Sequence, residues 1–376
     1  MKKRIVVTGA NGFIGANLCN YLFEKNYDVD CLVRNNSDIS LLNVDHKLIY
    51  CDYNDDDELK KTLSQYDVVI HLAALTKGRT FDELYDANVR LTEKIVGIVS
   101  ESGEKQLIFI SSQAALGPSR GMVSKKENDK EAPVSWYGTT KYLAEKKVRN
   151  GIVNINDRDN KCINGHDSTT PNPSSLEGNY WVASSQAPRN DNCCPPLTPP
   201  QEGNNYHWTI IRPSSVYGEG DKDFLLFFKL VKSHLSPILG KKDKYISLIY
   251  VQDLVQIIER CLWNPKVYGK VLHATDGFVY TMEDFVTTLS TVMEKMCFTF
   301  RLPDGIIKGA AQVFDYLSSF NDKASVFNKQ KALEITQESW LMDSKASMEL
   351  LGLEIKPDLY GNLIQTYRWY KANGEL

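Results

Sequence analysis

Tyr137 and Lys141 stand four residues apart in the run SWYGTTKYLAEKK. On a helix that spacing puts both side chains on one face, so the ammonium can lie beside the phenol oxygen. A free tyrosine titrates near about 10 and a neighbouring positive charge favours the phenolate, so a fall of roughly 2 to 3 units would make Tyr137 an acid/base at neutral pH. The spacing alone is common in a chain this long. Its meaning comes from the glycine-rich turn TGANGFIG at residues 8–15. A strand feeding Gly9, Gly12 and Gly15 into a helix aims backbone N–H groups and the positive helix end at a pyrophosphate. RIVVTG precedes the turn and NLCNYLFEK follows it, the context the motif requires. Gly9, Asn11, Gly12, Phe13, Ile14 and Gly15 are therefore read as a dinucleotide cradle, with Tyr137 as a proton donor beside it.

The elements that must hold these groups are legible as a repeat. Over the first 112 residues, apolar runs alternate with amphipathic segments: RIVVTG, NLCNYLFEK, DVDCLV, KLIYCD, DDELKKTL, DVVIHLAA, the long DELYDANVRLTEKIVGIVSES and QLIFISS. Strand followed by helix, repeated, implies an α/β fold: a doubly wound parallel sheet with helices on both faces. Burial on both faces explains the nearly continuous apolar runs. The second strand ends in CLVRNN, and where an acidic residue would bind the ribose 2′-hydroxyl of NAD stand Val33 and Arg34. An arginine accommodates a 2′-phosphate, which favours NADP over NAD. The alternative is a solvated arginine beside NAD. Asp52, closing the third strand, reads as an adenine contact, with Tyr53 next to it as a further cofactor-binding candidate.

The 376 residues are 42% hydrophobic and 24% charged with a formal net charge of -3, which gives no basic surplus for nucleic acid. The start MKKRIVVTGA has too few apolar residues for a secretory signal and no apolar run approaches a membrane span. Eight scattered cysteines show no CxxC or Cys/His ligand spacing, so a reduced, cytoplasmic protein without metal is expected. The catalytic helix is expected over 136–149 and the next strand from His207. Residues 150–206 hold seven of the fourteen prolines and no sustained period, and read as an irregular or disordered insertion. The expected organisation is thus a dinucleotide-binding domain at 1–149 and 207–212, the insertion, and a smaller mixed α/β substrate lobe at 213–376 with some segments returning to the first domain. In that lobe Thr281 and Asp284 resemble a capping box.

Taken in order, TGANGFIG, DVVIHLAA, ISSQAALG, YGTTK and RPSSVYGEGD resemble the successive motifs of the extended short-chain dehydrogenase/reductase (NAD-dependent epimerase/dehydratase) family, across nearly the whole chain outside the insertion. The resemblance implies that Tyr137 is the catalytic acid/base, that Lys141 lowers its pKa and bonds the nicotinamide ribose, and that Ser112 hydrogen-bonds the substrate oxygen. It further implies that Leu72, Ala73 and Ala74 line the nicotinamide half of the cofactor, that Pro213 sits against the nicotinamide, and that Asn88 is mostly structural. Hydride would pass between nicotinamide and a substrate carbon while Tyr137 gives or takes the proton. Dehydratases of the family carry an acidic pair directly after the catalytic Ser/Thr; here Gln113 and Ala114 stand there, which disfavours dehydration. Leu116 stands before Gly117 where many epimerases have tyrosine. LPDGIIKGAAQVFDYL, ESWLMDSKASMELLG and VRNN resemble the branch of 3β-hydroxysteroid dehydrogenase-like and dihydroflavonol-reductase-like enzymes.

The leading expectation is an NAD(P)-dependent oxidoreductase of a secondary alcohol or ketone on a fairly apolar small molecule. A nucleotide-sugar epimerase with tightly bound NAD is the alternative. A non-catalytic cofactor-binding regulator is the alternative of another class, kept open by the insertion. The resemblance also suggests a homodimer through the long fourth and fifth helices, and the amphipathic stretch near 305–320 leaves peripheral membrane contact open, although such a helix more often packs on its own core.

Overall fold

A computed structural model describes residues 3–151, 206–240, 243–318 and 328–376. The expected insertion therefore lies almost wholly outside the described residues, as do Cys162, Cys193 and Cys194. Six strands form most of one parallel sheet: β1 (Arg4–Thr8), β2 (Asp28–Val33), β3 (Lys47–Tyr50), β4 (Val68–His71), β5 (Lys105–Ile110) and β6 (Tyr206–Pro213). A seventh, Lys270–Ala274, pairs with β6, giving the order β3-β2-β1-β4-β5-β6 and then the seventh strand. The order reverses at β1, which opens a crevice beyond the carboxyl ends of β1 and β4, the place where a doubly wound sheet takes its ligand.

Both faces of the sheet are buried, as the apolar runs require. Along β1, Ile5 and Val7 join one core cluster and Val6 joins the other. The first face is covered by α1 (Phe13–Glu24) together with the helix Val251–Cys261. The second is covered by α2 (Asp56–Leu63), by α4 (Leu91–Glu101) and by α6 (Trp136–Asn150). Two short helices complete the series, α3 (Phe81–Tyr85) and α5 (Gln113–Leu116). The residues after Pro213 add three small sheets and several helices, and the expected capping box is present, with Thr281 and Asp284 bonding each other's backbone N–H.

One segment differs from its sequence expectation. DELYDANVRLTEKIVGIVSES is not one regular helix: Asp86–Arg90 is wound as a π-turn between α3 and α4. The turn carries Asn88, whose side chain accepts from the Leu75 amide at 2.7 Å and donates to the Leu75 carbonyl at 2.9 Å and to Thr140 Oγ1 at 3.0 Å. The local widening is thus matched to a side chain that ties the loop after β4 to α6. The amphipathic stretch near 305–320 forms the helix Asp304–Ser318, and its Ile307 and Ala311 pack with Ala332 while Ile306 stays exposed. No helix among the described residues is long and apolar enough to cross a membrane.

Candidate active site

The glycine turn fits its expected task on backbone geometry. Gly9 has φ +69°, and a Cβ there would lie 2.7 Å from the Ala73 amide nitrogen. A Cβ on Gly15 would lie 2.2 Å from the Gly9 carbonyl oxygen, so only glycine lets α1 close onto the turn. Gly12 is the N-cap of α1, with no side chain capping the helix and no acidic residue in its first turn. The first amides of a twelve-residue helix are thereby left for an anion, which is what a dinucleotide pyrophosphate supplies. Asn11 donates to the Asp38 carbonyl at 3.1 Å, while Phe13 and Ile14 begin α1. Tyr53 lies beneath the turn, its hydroxyl accepting from the Gly9 amide at 3.4 Å and donating to the Leu32 carbonyl at 3.4 Å. Arg34 projects exposed just past β2 without an ion-pair partner among the described residues, and Asp52 caps its own turn by accepting from the Asn54 amide at 2.9 Å.

Leu72, Ala73 and Ala74 run half-buried from the end of β4. The Leu72 amide donates to the Thr8 carbonyl at 3.2 Å and the Ala73 amide to Thr8 Oγ1 at 3.3 Å. Beneath them is a buried relay that no sequence motif marks: Thr8 Oγ1 to His71 Nδ1 at 2.8 Å, His71 Nε2 to Thr92 Oγ1 at 3.0 Å, and Thr92 Oγ1 to the Asn88 carbonyl at 2.6 Å. Thr92 spends its hydrogen on that carbonyl, so it accepts from His71 Nε2–H, which leaves Nδ1 to accept from Thr8. Full burial and then the charge of Lys141 push the His71 pKa down to about 3, consistent with that neutral tautomer.

Ser112, Tyr137 and Lys141 converge from two elements. Ser112 caps α5, and its Oγ accepts from the Ala114 amide at 3.1 Å, leaving its hydrogen free to donate. Ser135 caps α6 by accepting from the Gly138 amide, and a Cβ on Gly138 would lie 2.4 Å from the Ala114 carbonyl oxygen. The glycine after Tyr137 therefore lets α6 start hard against α5, which brings the phenol beside the Ser112 hydroxyl. Pro213 closes β6, buried and paired with Ala274.

The electrostatics depart from the sequence expectation. Burial is the largest influence on Tyr137; the Ser112 hydroxyl opposes it, the charges of Glu334 and Asp223 add to it, and the phenol is pushed up to about 12 rather than down. Lys141 is 2% exposed, donates from Nζ to the Ile110 carbonyl at 2.6 Å and lies 4.2 Å from the Phe109 ring centroid. Burial brings it down to about 7 against the opposing pull of Glu145. The i,i+4 spacing places the two groups on one helix, but Lys141 Nζ is spent on the Ile110 carbonyl and the Phe109 ring, and desolvation dominates the phenol.

A further group was legible only as a pattern, since Glu145 is again four residues beyond Lys141. Glu145 is fully buried, accepts from Ser111 Oγ at 2.6 Å, from Arg212 Nε at 2.8 Å and Nη2 at 2.7 Å, and from Arg149 Nη2 at 2.8 Å. Ser111 adjoins Ser112 and Arg212 adjoins Pro213, so one carboxylate ties β5, β6 and α6 together behind the site.

Known proteins resemble this chain. The NAD-dependent epimerase/dehydratase family matches residues 5–152. The YtcB protein of Bacillus subtilis, described as an uncharacterized UDP-glucose epimerase, is 30% identical over 290 residues, covering 72% of this chain and 76% of that protein. The chain belongs to the NAD-dependent epimerase/dehydratase family. Its members are enzymes of the extended short-chain dehydrogenase/reductase class, and NAD(P) is the cofactor type that the glycine turn fits. A ceramide reductase of Caulobacter vibrioides is 24% identical over 374 residues, covering 99% of this chain and 96% of that protein. Among solved structures, MoeE5 in complex with UDP-glucuronic acid and NAD superposes with a TM-score of 0.68 at 18% identity, covering 98% of this chain and 99% of that one, a likeness of fold.

Proposed function

We propose that this enzyme uses NAD(P) to reduce the carbonyl group of a fairly apolar ketone to a secondary alcohol, with Tyr137 as the proton donor. The observation that carries the reading is the meeting of the Tyr137 phenol and the Ser112 hydroxyl where α6 starts against α5, with Gln113 and Ala114 where the family's dehydratases carry acids. The bound dinucleotide would supply the hydride, held by the Gly9–Gly15 turn. Ser112, whose Oγ already accepts from the Ala114 amide, would donate its hydrogen to the substrate oxygen and polarise the C=O bond. Tyr137, held protonated by burial, would pass its proton to that oxygen as negative charge develops there. Lys141 would hold or release a proton near neutrality next to the end of β5. The end-to-end match with a ceramide reductase supports a reductase of an apolar substrate.

Within this reading NADP is the cofactor, supported by the exposed Arg34 past β2 where a ribose-binding acid would otherwise stand. The second reading, a nucleotide-sugar epimerase holding NAD through turnover, is supported by the match with YtcB. A panel of ketones assayed by loss of reduced-cofactor absorbance separates the two. Turnover is expected, with Tyr137→Phe slowing it by about 10² to 10⁴-fold. Interconversion of UDP-sugars without net cofactor oxidation would establish the epimerase instead.

A further inference from the structure

Four charged side chains from three separate segments meet beside Tyr137. Lys77, two residues past the exposed Leu75, extends Nζ to Asp223 Oδ1 at 2.7 Å. Lys331, on the helix Lys329–Ile335, lies 3.8 Å from Asp223 Oδ2 and 3.6 Å from Glu334 Oε2. That helix is fixed to the start of α6: Ser135 Oγ donates to Glu334 Oε1 at 2.6 Å and the Trp136 amide to Gln330 Oε1 at 2.9 Å. Tyr137 follows directly, and its phenol feels both Glu334 and Asp223. The cluster therefore borders the reacting end of the site.

Two lysines face two carboxylates, and the buried Asp221 adds a third acid within reach of Lys331, so the cluster carries no net positive charge. A diphosphate entering here would meet ammonium groups already occupied, together with carboxylates that repel it. An uncharged carbonyl compound would meet hydrogen-bonding groups without net repulsion. The side chains keep between 17% and 43% of their surface exposed, so the cluster is reachable from solvent.

We propose that Asp223 sets the substrate charge of this enzyme: by occupying Lys77 and Lys331 beside Tyr137, it makes the cleft accept uncharged carbonyl substrates and reject phosphate-bearing ones. This rests on the reductase reading, and it replaces "apolar substrate" with a residue that enforces the choice. Substitution of Asp223 by the isosteric asparagine frees the Lys77 ammonium without emptying the space, while Lys331 keeps Glu334 at 3.6 Å.

The test is calorimetric binding of UDP-glucose and of inorganic pyrophosphate to the full chain, with saturating NADPH so that neither probe occupies the glycine turn. Neither probe is expected to bind the native protein at millimolar concentration. Asp223→Asn is expected to gain at least about tenfold in affinity for both, and Lys77→Met added to it is expected to remove the gain. Tight binding of UDP-glucose to the native protein would overturn the proposal, and so would an Asp223→Asn protein that binds NADPH normally yet gains nothing. If Asp223→Asn does not fold, the native protein's response to UDP-glucose decides alone. Turnover is not needed for any of these measurements, so a protein that rejects UDP-glucose but reduces no ketone would refute the reductase reading while the exclusion of phosphate by Asp223 still stood.

Discussion

Replacing Arg212 by methionine is the perturbation for which the structure gives the clearest magnitude. Arg212 is fully buried and makes three charge-assisted hydrogen bonds, two to Glu145 and one to Glu131 at 2.8 Å. Methionine fills much of the same space without charge or donors. Glu145, also fully buried, would keep Ser111 and Arg149 as partners, and Arg149 is only 17% exposed, so the carboxylate would be under-compensated rather than orphaned. Breaking a buried pair by removing one partner costs about 3 to 5 kcal/mol, and the retained partners place this case at about 3. Urea denaturation followed by circular dichroism should show that loss as a lower midpoint with an unchanged slope. Adding Glu145→Leu removes the uncompensated charge, and the double variant should recover about 2 kcal/mol. Turnover should fall in the single variant, where β6 beside Pro213 loses its tie to α6, and stay low in the double one, where Ser111 loses Glu145 as well. A single variant within about 0.5 kcal/mol of the native protein, or a double variant no more stable than the single, would refute the assignment of this network as the brace of the site.

Three further outcomes are expected. Arg34→Ala should weaken NADPH much more than NADH in fluorescence titrations, and equal loss of both would remove the case for a 2′-phosphate contact. Gly138→Ala forces a Cβ to 2.4 Å from the Ala114 carbonyl, so it should cost about 1 to 3 kcal/mol in the same denaturation assay and reduce turnover by parting α6 from α5; full activity would show that the close approach is dispensable. Lys141 titrates near 7 in the folded chain against an ordinary 10.5, so between those values the unfolded chain binds more protons and stability rises with pH. The native protein should therefore gain stability from pH 7 to pH 9 relative to Lys141→Met, and parallel profiles would contradict a buried lysine of lowered pKa.

Much of the fold was readable because its signals are local. Val6 faces one core cluster while Ile5 and Val7 face the other, so a continuous apolar run could be recognised as a strand buried on both sides. Gly9 and Gly15 mark positions where any Cβ collides with backbone, and that requirement is written into residue type alone. The π-turn at Asp86–Arg90 was not readable, since its cause is the contact of Asn88 with Leu75 and Thr140, far apart in the chain.

The sequence by itself determined the parallel sheet, the dinucleotide turn and the shared helix face of Tyr137 and Lys141, because each follows from hydrophobic period, glycine position or helical spacing, while Ser112 was implied only by the family resemblance. Tertiary structure decided how those groups ionise and what surrounds them. Burial raises Tyr137 and lowers Lys141, reversing the expectation drawn from their spacing, because desolvation depends on everything packed around a group rather than on its neighbours in sequence. Asp223 reaches Lys77 across 146 positions and Arg212 reaches Glu145 across 67, and charge pairing over such separations exists only once the chain has folded.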